Sequence, residues 1–172
     1  RLVVALLVLA VLIVSVYAED KKDKKLTADD IFPADRVLDV QITVDPKDWD
    51  TIRYQSRNIF EALQESRQHA PLDHPYTYVE ASVSIDGVEF PQVGIRKKGF
   101  IGSQSTSRPS LKIKLNHTDK KGQIEGLTNL TFNNNRNDKS LVSQFMSYAL
   151  FNAANSPAPR CAYAKVTVNG TS

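Results

Sequence analysis

The sequence predicts an α+β domain built on an antiparallel sheet with two helices. Three observations carry this. Apolar and polar residues alternate in several short runs, the period of half-buried strands. Asp86-Gly87 lies between two such runs as a tight hairpin turn. Two other segments space their apolar residues three and four apart, as helices do.

Residues 2–16 are almost wholly apolar, follow Arg1 and run into Val16-Tyr17-Ala18. That pattern implies a secretory signal over residues 1–18, cleaved after Ala18, with an uncleaved anchor as the alternative. An exported protein is therefore expected, secreted, cell-surface or periplasmic, touching a membrane only through that segment. Residues 19–35 carry the run Lys21-Lys22-Asp23-Lys24-Lys25 and read as a charged linker. The folded domain is then residues 36–172.

Leu38, Val40, Ile42 and Val44 alternate with polar residues as a first strand. Asp45-Pro46 ends it and opens a helix, with Asp45 as cap and Pro46 at the first helical position. Trp49, Ile52, Ile59, Phe60 and Leu63 follow at helical spacing and read as core. Val79, Ala81, Val83 and Ile85 alternate up to the Asp86-Gly87 turn, and the returning strand continues through Val93 and Ile95 toward Gly99. Leu111, Ile113 and Leu115 share one face of the next strand, opposite Ser110, Lys112 and Lys114. A polar turn at residues 117–123 precedes a strand containing Leu130 and Phe132.

Residues 138–155 read as a helix capped by Asp138, with Leu141, Val142, Phe145, Tyr148, Ala149 and Phe151 as its apolar face; Pro157 and Pro159 stop it. A last strand starts near Cys161 and meets Asn169-Gly170, a turn that normally feeds a returning strand. With Arg1 at the start, the chain is accordingly read as a piece of a longer protein.

Composition excludes some functions. The 22 Lys+Arg against 19 Asp+Glu leave a formal charge of +3, too mild to argue for a nucleic-acid partner. Cys161 is the one cysteine, so no intrachain disulfide forms, and it reads as a structural thiol. His69, His74 and His117 are scattered without metal-ligand spacing and read as surface histidines. Asn116, Asn129 and Asn169 begin formal glycosylation sequons.

One region has the makings of a site. Residues 99–110 form a loop of small residues, with Gly99, Gly102, Ser103 and Ser105, whose backbone amides can approach phosphate oxygens closely. Arg96 and Lys98 enter it on one strand, and Lys112 and Lys114 leave on the next. Alternation puts each pair on a single face, so a hairpin pairing would converge four cations beside the loop, a cradle for a polyanion.

Four ordered blocks give this region a family likeness: Gly94-Ile95-Arg96 with Lys98-Gly99; Ser110-Leu111-Lys112-Ile113-Lys114-Leu115; residues 130–140, containing Asn133-Asn134-Asn135-Arg136-Asn137-Asp138; and Pro157-Ala158-Pro159-Arg160 leading to Val168-Asn169-Gly170. They resemble the spore-coat protein H (CotH) kinase family of atypical, secretory-type protein kinases. Residues 37–44 with Asp48-Trp49 look like that family's first strand and helix. The resemblance implies an atypical protein-kinase-like N-terminal lobe with its C-terminal lobe missing. It implies ATP and Mg as cofactors, and transfer of the γ-phosphate to Ser or Thr of secreted or surface, coat-type proteins. Arg96, Lys98, Gly99, Gly102, Ser103, Ser105, Lys112 and Lys114 would hold the nucleotide, and the catalytic acids are expected beyond Ser172.

The chain departs from the family's pattern in three places. The loop is longer, with Phe100 and Ile101; Arg108 stands where a lysine is common; and Ser143-Gln144 replaces an Arg-Glu pair. Gln144 is thus expected as the helix partner of a strand lysine, by hydrogen bond rather than ion pair. A non-catalytic surface binding or adhesion module on a kinase-like scaffold is the alternative function.

Overall fold

The computed structural model describes residues 25–58, 60, 75–100 and 102–171. Residues 1–18, expected as a signal segment, and Ile59, Leu63, His69, His74 and Ile101 lie outside the described residues. The elements are α1 (Ala28–Ile31), β1 (Val37–Val44), α2 (Pro46–Tyr54), β2 (Val79–Ile85), β3 (Val88–Lys98), β4 (Ser110–Lys114), β5 (Asn129–Phe132), α3 (Ser143–Ala153) and β6 (Tyr163–Val168). The strands form one curled, six-stranded sheet in the order β5-β4-β3-β2-β1-β6. Four pairings are antiparallel, but β6 lies parallel to β1, with Val37 opposite Tyr163 and Ile42 opposite Val168. The sheet is therefore mixed, which corrects the antiparallel expectation. Local alternation marks a strand, whereas the direction of its partner depends on how the chain returns to it.

One face of the curl carries the core. β1 alternates exposed and buried along its whole length. Val40, Ile42, Val83, Ile85, Ile95 and Ile113 are all but fully buried. Each such aliphatic side chain contributes about 1.5–3 kcal/mol relative to exposure. α2 crosses β2 and β3 and inserts Ile52. Its start is set as the sequence predicts: the Asp45 carboxylate accepts from Lys47 N at 2.8 Å, and Pro46 supplies no amide needing a partner.

Lys97 also points to the core face and is only 1% exposed. It stands opposite Leu111 in the register, and its Nζ donates to the carbonyl of Arg53 at 2.7 Å, in the last turn of α2. Burial holds the Lys97 pKa below the ordinary lysine value.

Four expectations need correction. α2 ends at Tyr54, because Gln55 turns extended (φ −56°, ψ 139°) and ties its side-chain amide to Thr77 at the approach to β2. Phe60 is 72% exposed and not core. Residues 26–31 are not linker: Leu26 and Ile31 are buried in the core, and Thr27 and Asp30 form a reciprocal capping box that starts α1. Lastly, α3 starts at Ser143 rather than near Asp138, and it buries none of its residues. Leu141, Val142 and Phe151, expected on its inner face, are exposed, as are Met146 and Leu150. Its apolar contact with the sheet is Phe145 stacked on Tyr163 at 5.2 Å.

Candidate functional site

β3 and β4 pair antiparallel with Arg96 opposite Lys112, Gly94 opposite Lys114 and Lys98 opposite Ser110. The hairpin therefore brings Arg96, Lys98, Lys112 and Lys114 onto one face of the sheet, away from the core. Among the described residues none of the four pairs with a carboxylate; the ion pairs are Arg36–Asp86, Arg53–Asp50 and Arg160–Asp29. Partial burial and the neighbouring Arg96 and Lys112 charges together lower the Lys98 pKa. Uncompensated cations at this spacing favour an anion that spans them.

The four do not occupy one spot. Lys98 lines a pocket of about 400 Å³ with Ser103, Asn134, Asp138 and Gln144. Its Nζ donates to Asn133 Oδ1 at 2.7 Å, and Asn133 Nδ2 donates to Gln144 Oε1 at 2.8 Å. Gln144 thus reaches the strand lysine through a third residue that sequence reasoning had not assigned. Arg96 lies 5.3 Å from the Tyr78 ring centroid and Lys114 Nζ 6.0 Å from it. Tyr78 in turn meets the His117 ring at 5.7 Å. Lys114 stands two residues farther from the loop than Lys112, and neither of them nor Arg96 lines the Lys98 pocket.

The loop is braced from within. Gly99 and Gly102 adopt φ +143° and +75°, conformations that favour glycine. The amide of Phe100 donates to Ser103 Oγ at 2.9 Å, that of Ser103 to the Phe100 carbonyl at 3.2 Å, and that of Arg108 to Ser105 Oγ at 3.1 Å. These amides serve the loop itself. Tyr76, buried, donates its hydroxyl to the Gly99 carbonyl at 2.7 Å. Asn134 Nδ2 donates to the carbonyls of Ser103 and Arg108 at 3.0 and 2.8 Å, and the Arg136 guanidinium to that of Gln104. Gln104 pairs both ends of its amide with the backbone of Arg57, at 2.8 and 2.9 Å. Ser105 lines a second hollow of about 700 Å³ with Ser56, Lys97, Gln104, Arg108 and Arg136, the last shared with the Lys98 pocket.

The N-terminal end of α3 opens on the Lys98 pocket, but it already has an anion. The Asp138 carboxylate accepts from the amides of Ser140 and Ser143 at 3.0 and 2.8 Å, and from the Ser140 hydroxyl. Those hydrogen bonds pull its pKa down to about 2. The N-cap position is therefore Val142 and not the expected Asp138, whose carboxylate instead takes the first helical amide, that of Ser143, from outside the helix.

Among the described residues no group of three or more His, Cys, Asp or Glu stands close enough to hold a metal ion. Both Asp138 oxygens are committed to Ser140 and Ser143. No described helix is long and apolar enough to cross a membrane. Cys161 is half-buried, its thiol pKa raised by burial. The sequon residue Asn129 lies in β5, and Asn169 spends both ends of its amide on the Val44 backbone, each at 3.0 Å.

No curated protein matches the chain. The family model described as CotH kinase protein matches residues 95–172, which take in Arg96, Lys98, the braced loop, Lys112, Lys114, Asn133 and Gln144. On that match, residues 95–172 of this α+β chain, with its cationic hairpin, are similar to the CotH kinase protein family.

Proposed function

We propose that the chain holds the nucleotide phosphates of a CotH-type protein kinase. In this reading the curled sheet and α3 form the kinase-like N-terminal lobe, and the full activity moves the γ-phosphate of ATP to Ser or Thr of exported proteins. The observation that carries it is the β3–β4 hairpin, with four cations on one face and no carboxylate partner among the described residues. Phosphoryl transfer asks the protein mainly to position the phosphates and neutralise their charge, and these residues suit that task.

Lys98 and Lys112 would meet the phosphate oxygens, with Arg96 on β3 opposite Lys112. The donor set among the described residues does not suit a resident Mg ion, so the metal would arrive as the counterion of the triphosphate. Gln144, in place of a carboxylate, favours a second reading, an exported module that binds polyanionic ligands without transfer. Calorimetric titration of the full chain with Mg-ATP, followed by a phosphotransfer assay on a Ser/Thr-rich acceptor, tests both. Salt-sensitive binding is expected; binding without transfer supports the module, and no binding refutes the cradle.

A further inference from the structure

We propose that Asn133 is a positioning residue for Lys98: its amide, set between the ammonium and Gln144, aims the cation without neutralising it and links that aim to the seat of α3. The inference deepens the phosphate-cradle reading and rests on it.

The order of atoms fixes the amide's orientation. An ammonium only donates, so the Asn133 oxygen must face Lys98 Nζ, at 2.7 Å. Its NH₂ then needs an acceptor, and Gln144 Oε1 stands at 2.8 Å. The two hydrogen bonds run in series, from β3 through the residue that follows β5 to the second residue of α3.

Two features give the relay weight. α3 buries no residue, so polar contacts at its first turn count for more in placing it. Every part of the relay beyond Lys98 is also neutral. The charged groups around the ammonium are Arg96 on its own strand, Lys112 on β4 and Arg136 in the pocket wall, all cations, while Asp138 across the pocket is committed to Ser140 and Ser143. A carboxylate at position 144 would place an anion one amide away and compete with any incoming phosphate. The relay orients Lys98 and leaves its charge for the ligand.

The test uses the full chain, inorganic tripolyphosphate as probe, and NMR titration of the Lys98 ammonium. Asn133→Ala should weaken tripolyphosphate binding about fivefold. Gln144→Ala should weaken it less, and the double variant should bind no worse than Asn133→Ala, because removing a second link of one chain costs nothing further. Gln144→Glu, close in shape, should raise the Lys98 pKa above wild type and still weaken binding, an outcome that a purely structural role for residue 144 would not produce. Additive losses in the double variant, or an unmoved Lys98 pKa in Gln144→Glu, overturn the relay. If Asn133→Ala does not fold, the two Gln144 variants decide alone. If the wild type binds no tripolyphosphate, the cradle reading fails, while the Lys98 titration still judges the relay.

Discussion

Replacing Lys112 and Lys114 separately by Met distinguishes a site built around Lys98 from a diffusely basic sheet. Lys112 lies opposite Arg96 and lowers the Lys98 pKa by its charge, so a phosphate held at Lys98 is also within reach of Lys112. Losing one charge-assisted contact of about 1.5 kcal/mol corresponds to roughly a tenfold weaker Kd. Lys114 is two residues along the strand, about 7 Å farther, so its ammonium stands roughly 11 Å from that phosphate. At that distance in a water-like dielectric two unit charges interact by about 0.4 kcal/mol before screening, and salt at physiological strength reduces this several-fold.

The expected pattern in Mg-ATP calorimetry is therefore graded. Lys112→Met should bind about tenfold more weakly, Lys114→Met less than about twofold, and the double variant like Lys112→Met. Both lysines lie off the core face, so thermal unfolding should hardly move. Lys120 and Lys121, in the polar turn after β4, serve as the control pair and should change little. Equal losses at Lys112 and Lys114 would show that the sheet acts as a diffuse basic surface. A Lys112 variant no weaker than the control would place the nucleotide elsewhere.

Two further outcomes test the frame around the site. The Asp138 carboxylate, at about 2 against an ordinary 3.8, stabilises the fold above pH 4, and that contribution is lost as pH falls toward 2. The Ser143 amide resonance should shift over that window, and Asp138→Ala should remove the acid-side change; a variant that keeps it would assign the titration to another group. A Cβ on Gly94 would lie 2.6 Å from the His117 ring, so Gly94→Ala should destabilise by about 1–3 kcal/mol in urea and displace the ring from Tyr78. Unchanged stability would mean that His117 moves aside without cost.

Much of the sheet was legible because alternation is a local property. β1, β2 and most of β4 follow the period of two, β3 breaks it where Val93, Gly94 and Ile95 are buried in succession, and Asp86-Gly87 forms its turn with φ +48° and +82°. The cationic face was legible for the same reason, since the register of one hairpin decides it. The misses were non-local. Thr27 and Asp30 carried a readable capping signal, but the surrounding charges outweighed it until Leu26 and Ile31 were seen in the core. The period of α3 marked a helix correctly and said nothing of what lies against it. Asn133 was one asparagine among three in a row, and its role exists only because β5 delivers it between Lys98 and Gln144.

The parallel seam between β1 and β6 has a kinetic consequence. Its partners lie about 125 residues apart, the separation of Val44 from the Asn169 that clasps it. A ribosome adding about 5–20 residues per second takes on the order of 6–25 s between making β1 and making its partner. Through that interval one edge of β1 carries open amides and carbonyls beside Val40 and Ile42, a template for any other extended chain. β2 can close the other edge much sooner, so a half-sheet waiting on its last strand is the expected slow species. Asn169, which completes the seam from its turn, is the last residue of that seam to arrive.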